Sequence, residues 1–285
     1  MEQFNSLDKD PQFSDEFRVK KKFHCITVLL SVLLFCSIVG NITLVLILTH
    51  KPSIPKESII PVTPDISVNG TIMPESAAWY INKVNVKNSP YYPINNFYDG
   101  SISKTLKILP KFKTYQQSSK ISCGAASAFM ALRYLGVNNV TENELYIRAN
   151  TEADHGVDTV PLAKAIRSLT GSDISVKYKL DDRKLTIEET IELVKECTNP
   201  DNKKVLLLAS VEWGGHWMTL IGYDDMGTEL TDDDVLVFAD PFDTTDHNQD
   251  GYYIVSFERY YATWFLHNMG KEGQMVNQYV IIEHN

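Results

Sequence analysis

Two spacings of apolar residues divide the second half of the chain. Up to about residue 198 they recur every three to four positions; from 205 onward they alternate or run on without a break. GAASAFMALRYLG (124–136) predicts a helix with Gly136 as its stop. Thr141 and Glu144 form a capping-box pattern ahead of a second helix, ENELYIRAN. VPLAKAIRSLTG predicts a third, with Leu162, Ala165, Ile166 and Leu169 on one face, and IEETIELVKEC a fourth. VLLLASVEW, HWMTLIGYD, VLVFADP, YYIVSF and QYVIIEH then read as strands. Helices followed by strands predict an α+β fold in which a helical half packs on an antiparallel sheet, with the functional site at their junction.

A different apolar pattern lies near the N-terminus. From Cys25 to Leu48 there are 24 residues without a charge. As a helix this run is about 36 Å long, enough to cross a hydrocarbon core of roughly 30 Å. Arg18, Lys20, Lys21 and Lys22 crowd before it, and only His50, Lys51 and Lys56 follow closely. That bias places the N-terminus in the cytoplasm and the rest outside the cell membrane. A cleaved signal peptide would be shorter in its apolar part and followed at once by a small-residue site. The run therefore reads as a single-pass signal-anchor. Pro52, Pro55, Pro61, Pro64 and Pro74, with Ser and Thr between them, read as an extended linker. The expected organisation is a cytoplasmic tail (1–22), a transmembrane anchor (23–49), a linker (50–85) and a folded domain (86–285).

Charge and cysteine content narrow the chemistry. The 285 residues carry a net charge of −9, which argues against a binder of nucleic acid, since that needs a basic face. Cys25 and Cys36 fall in the apolar run, so only Cys123 and Cys197 belong to the folded domain, too few for a disulfide framework. Cys123 stands immediately before an apolar helix, where unpaired backbone N–H groups and the helix dipole favour a thiolate. Gly124, Ala125, Ala126, Ser127 and Ala128 follow it, small enough to let other backbone approach. A cysteine so placed is, on its own, more often a small buried hydrophobe. Partners are what change that balance.

His216 opens the strand HWMTLIGYD and Asp240 ends the strand VLVFAD. Pairing these strands antiparallel, with 216 opposite 240, projects both side chains from one face above Met218, Phe238, Leu220 and Leu236. A one-residue slip would separate them. Gln117 lies six residues before Cys123, with Gln116 beside it. The amide of Gln117 and the Cys123 backbone N–H suit an oxyanion. Together Cys123, His216, Asp240 and Gln117 are the components of acyl transfer: nucleophile, base, orienting carboxylate and oxyanion donor.

These residues also carry a resemblance. QSSKISCGAASAFMALRYLG resembles the nucleophile segment of papain-like cysteine peptidases, and most resembles the bacteriocin-processing peptidase family. Gln117, Cys123-Gly124, Gly215-His216, Gly222-Tyr223, Asp240-Pro241 and the aromatic SFERYYATWF before a last strand carry the likeness, over roughly 85–285. The resemblance implies a papain-like fold, peptide or protein substrates, and the same four roles. No ATP-binding cassette pattern or set of membrane helices accompanies it, so the expectation is a stand-alone, membrane-anchored peptidase rather than an exporter. The alternatives are a transferase that passes the same acyl-enzyme to an amine or thiol acceptor, and a tethered binding domain with an inactive site.

Other motifs add little. Asp246, Asn248, Asp250 and Gly251 begin like a calcium loop, but Phe257 stands where a Glu is needed, and a polar turn is the better reading. His155 beside Asp154 reads as loop. Asn69 and Asn139 are glycosylation acceptors only in a eukaryotic secretory route. No metal-ligand spacing or phosphate loop is present in the sequence, so no cofactor is expected.

Overall fold

A computed structural model describes residues 65, 71–81, 95–151, 156–179, 181–210, 215–244, 248–266 and 277–285. The apolar run with its basic flank and its two cysteines lies outside the described residues, as do Asn69, Asp154, His155 and Asp246. Among the described residues no helix is long and apolar enough to cross a membrane.

Local sequence sets the helix ends. α1 (Cys123–Tyr134) closes at Gly136, whose φ of +88° allows Gly136 N to bond Arg133 O and Val137 N to bond Leu132 O, the left-handed cap that glycine favours. α2 (Glu142–Arg148) starts with both bonds of the Thr141–Glu144 capping box. α3 spans Thr159–Leu169 and buries Leu162, Ala165 and Ile166. α4 (Ile187–Thr198) has a second capping box, Thr186 with Glu189. α5 (Phe257–Leu266) is the aromatic segment before the last strand.

The strands are β1 (Leu106–Ile108), β2 (Ile174–Tyr178), β3 (Lys204–Ser210), β4 (His216–Asp224), β5 (Val235–Ala239), β6 (Tyr252–Ser256) and β7 (Tyr279–His284). They form one antiparallel sheet in the order β2-β7-β3-β4-β5-β6. β1 pairs the far end of β4, Ile108 opposite Gly222. The fold is α+β with an antiparallel sheet, as the order of patterns implies.

The helices do not form a single half. Along β3, Val205, Leu207 and Ala209 face one apolar cluster, shared with α1, α2 and α3, while Leu206 and Leu208 face another, shared with α4 and α5. An unbroken apolar strand is buried on both faces, so it needs cover on both. Met218, Leu220, Leu236 and Phe238 do share one face, the one beneath α4 and α5.

The linker composition of 50–85 hides packed pieces. Asp65 N bonds Thr114 O and Gln116 N bonds Asp65 O, while the Asp65 carboxylate pairs with Lys113 and Arg133. Ser76, Ala77 and Ala78 are buried, Met73 N bonds Ser118 O and Ala78 N bonds Gln117 O. Asp65 and residues 71–81 thus pack on the folded domain. They include a short helix, Ala77–Tyr80, capped by Ser76, so proline content reported neither their structure nor their contacts. A chain shortened to begin at residue 82 should lose about 3 kcal/mol, roughly 6–12 °C in Tm, because buried partners are left unpaired. Thermal denaturation of both lengths measures this, and equal Tm values would contradict the packing role.

Candidate active site

Three elements converge on the junction of α1 with β4 and β5. Cys123 is the first residue of α1, and the Ser122 side chain does not cap the helix; its Oγ accepts from Ser119 N instead. The first-turn amides are thus not consumed by the usual capping side chain, which favours anionic charge at the thiol.

α1 is set against β4 by small residues and two reciprocal bonds. Ala125, Ala126 and Ala128 are fully buried. Ser127 Oγ donates to Trp217 O at 2.9 Å, and Thr219 Oγ1 donates to Ser127 O at 3.1 Å. Ser127 is one turn beyond Cys123, and Trp217 follows His216. The bonds therefore fix the height of Cys123 relative to His216. Gly124 allows the close approach: a Cβ there would lie 2.5 Å from Val157 Cγ1 and 3.2 Å from Trp217 Cδ1.

His216 and Asp240 meet as expected, by a different register. Leu220 pairs Phe238 and Thr219 pairs Ala239, two residues out from the pairing read from the sequence. Because side chains alternate with a period of two, that offset keeps both on one face and makes them diagonal neighbours. A bulge between Leu220 and Gly222 shifts the register once more and turns Tyr223 toward the α4 side. His216 Nε2 lies 2.7 Å from Asp240 Oδ1, and both residues are buried. The same carboxylate oxygen accepts from Phe242 N at 2.7 Å, which holds it in a tight turn. Burial alone would lower the imidazole pKa, but the charge and hydrogen bond of Asp240, then the hydrogen bond and charge of Cys123, raise it to about 10. With Nε2 on Asp240, Nδ1 is the nitrogen left for the thiol.

Gln117 is buried beside this cluster. Its Nε2 donates to Ser119 O at 2.7 Å, its backbone N to Pro241 O at 2.9 Å, and its Oε1 has no hydrogen-bond partner. One N–H of the amide is thus used and one remains. Gln116 does something the sequence did not signal. Fully buried, it donates from Nε2 to Asp240 O and accepts at Oε1 from Asp243 N and Gln249 Nε2. Two adjacent glutamines look alike in a sequence; only burial and partners separate them.

Cys123 and Cys197 are both free thiols, in separate clusters on opposite faces of the sheet. Burial, then the neighbouring Glu196 charge, pushes the Cys197 thiol up to about 12, which makes it inert. In the calcium-like stretch, the Asp250 carboxylate accepts from Asn248 Nδ2 and Tyr252 N, and Gln249 reaches Ala77 O. Those side chains brace a turn, and no group of possible metal ligands occurs among the described residues. Asn139 is exposed, and the Thr141 hydroxyl two residues on serves the α2 cap.

No curated protein matches the chain. Among solved structures, the peptidase domain of Streptococcus ComA, a bi-functional ABC transporter involved in a quorum-sensing pathway, aligns with a TM-score of 0.41 at 13% identity, over 61% of this chain and 99% of that one. The Peptidase_C39 like family model matches residues 110–268, a span that contains Gln117, Cys123, His216 and Asp240. The chain therefore belongs to the Peptidase_C39 like family.

Proposed function

We propose that this protein is a cysteine peptidase that cleaves peptide bonds through Cys123, His216 and Asp240, with Gln117 as oxyanion donor. The observation that carries the reading is the buried 2.7 Å contact of His216 Nε2 with Asp240 Oδ1, on an imidazole whose charged form Cys123, at the start of α1, also favours. A proton passed from Cys123 to His216 gives a thiolate–imidazolium pair, which the Asp240 charge stabilises.

The thiolate attacks the peptide carbonyl, and the oxygen takes negative charge near the Cys123 backbone N–H and the Gln117 amide. The His216 imidazolium gives its proton to the leaving amine as the C–N bond breaks, leaving an S-acyl enzyme. Neutral His216 then takes a proton from water, hydroxide adds to the thioester, and Cys123 departs as thiolate with His216 again protonated. Gln117→Ala should slow this by about 10²-fold, the usual scale for one oxyanion donor. That loss should fall on kcat rather than KM, and an unchanged kcat would remove Gln117 from the mechanism.

The test of the function is a product assay. The purified protein is incubated with a pool of peptides, with and without an added amine, and products are identified by mass spectrometry. Free carboxylate products that require Cys123 support hydrolysis. Amine adducts in place of acids would make the protein a transferase, and no turnover of any peptide would favour a binding domain.

The site is proposed to work outside the cell membrane, tethered by the uncharged run 25–48 with Arg18 and Lys20–Lys22 on its inner side. Protease added to intact cells should then digest the catalytic domain. Protection of that domain until the membrane is broken would reverse the orientation.

A further inference from the structure

We propose that Gln116 is the positioning residue of this site: its buried side-chain amide holds the turn 240–243 in shape and so keeps the Asp240 carboxylate on the His216 imidazole. The proposal rests on the peptidase reading above.

The geometry is specific. The turn runs Asp240-Pro241-Phe242-Asp243, with Asp at its first position and Pro at its second, both favoured there. A turn of this kind usually closes with a hydrogen bond from its fourth N–H to its first carbonyl. Here the Gln116 amide stands between the two. Nε2 donates to Asp240 O at 2.8 Å and Oε1 accepts from Asp243 N at 3.1 Å. The side chain thus bridges the mouth of the turn as a spacer of fixed width. The turn's interior bond, Phe242 N to Asp240 Oδ1, fixes the carboxylate that meets His216.

The bridge is itself anchored. Gln116 Oε1 also accepts from Gln249 Nε2, which donates to Ala77 O as well. The next residue bonds the same turn through its backbone, Gln117 N to Pro241 O at 2.9 Å. One dipeptide therefore ties the oxyanion donor and the orienting carboxylate to a common frame. An apolar side chain of equal size would fill the space, but would remove the buried bonds that Gln116 makes to Asp240 O and Asp243 N. The turn would then close on itself or open, and Asp240 would move relative to His216. A displacement on the order of 1 Å in such a site costs about 10²-fold.

The test reads the reactivity of Cys123 toward a small thiol electrophile as a function of pH, which needs no substrate. The titratable groups acting on His216 are Asp240 from the end of β5 and Cys123 from α1. In the wild type, labelling should persist at pH 6. In Gln116→Met, the rate at that pH should fall by about 10-fold or more. In an Asp240→Ala background the same substitution should change the rate at pH 6 by less than about 2-fold, because no carboxylate is left to position. Gln116→Asn, one methylene too short for the bridge, should behave as Gln116→Met and serves where that variant does not fold. An unchanged rate at pH 6, an equal loss with and without Asp240, or failure of both variants to fold overturns the proposal. Absence of wild-type labelling at pH 6 would instead strike the peptidase reading.

Discussion

Cys123→Ala should lower peptide hydrolysis by about 10⁴- to 10⁶-fold, the scale on which loss of a nucleophile is felt when the rest of the site remains. The fold should survive. Residue 123 is a helix start, alanine is a good helix former, and the lost sulfur leaves only a small cavity in a cluster rich in alanine. The measurement is turnover of any cleaved peptide, with Tm as the control. A residual rate near wild type would mean that the chemistry lies elsewhere. Cys197 is no substitute, buried as it is on the other side of the sheet.

His216→Gln should cost about 10⁴-fold or more in kcat/KM, because the base and acid of both half-reactions is one residue. Glutamine still offers Asp240 a donor, so the buried carboxylate is not stranded. The pH profile separates chemistry from packing. In the wild type the imidazole pKa lies above its ordinary value, near 10, despite burial, because Asp240 and Cys123 favour the charged form. The imidazolium needed by the leaving amine therefore persists through neutral pH and is lost as pH rises through about 10. Activity should fall on that alkaline side, and the variant should show no such limb. A wild-type limb near pH 6.5 would contradict the pairing.

How much of this was legible beforehand varies by element. α1 through α4 were plain in the apolar spacing, helped by Gly136 as the stop of α1 and the Thr141–Glu144 box of α2; α3, without a side-chain cap, showed only its apolar face of Leu162 and Ile166. β1 and β2 were not, because LKI is too short and ISVKY too weakly patterned to stand out from loop. The meeting of His216 with Asp240 could be anticipated because strand alternation constrains faces even when register is wrong. The pairing read from sequence was two residues off, and an even error preserves the face; the bulge at Ile221 left no mark in the pattern. Packing of 65 and 71–81, with the short helix Ala77–Tyr80, was hidden by proline content, which is silent on burial. Gln116 was hidden for a plainer reason: nothing local distinguishes a buried amide that bridges a turn from an exposed one.

The most direct test of the account is site-resolved labelling of the wild-type protein by a peptidyl thiol electrophile at pH 6, read by mass mapping of each cysteine. Stabilised by the His216 imidazolium and the α1 N-terminus, Cys123 should be modified while Cys197 stays intact. If Cys123 reacted only above about pH 8, as an ordinary thiol does, or no faster than Cys197, there would be no thiolate–imidazolium pair and the peptidase mechanism would be wrong.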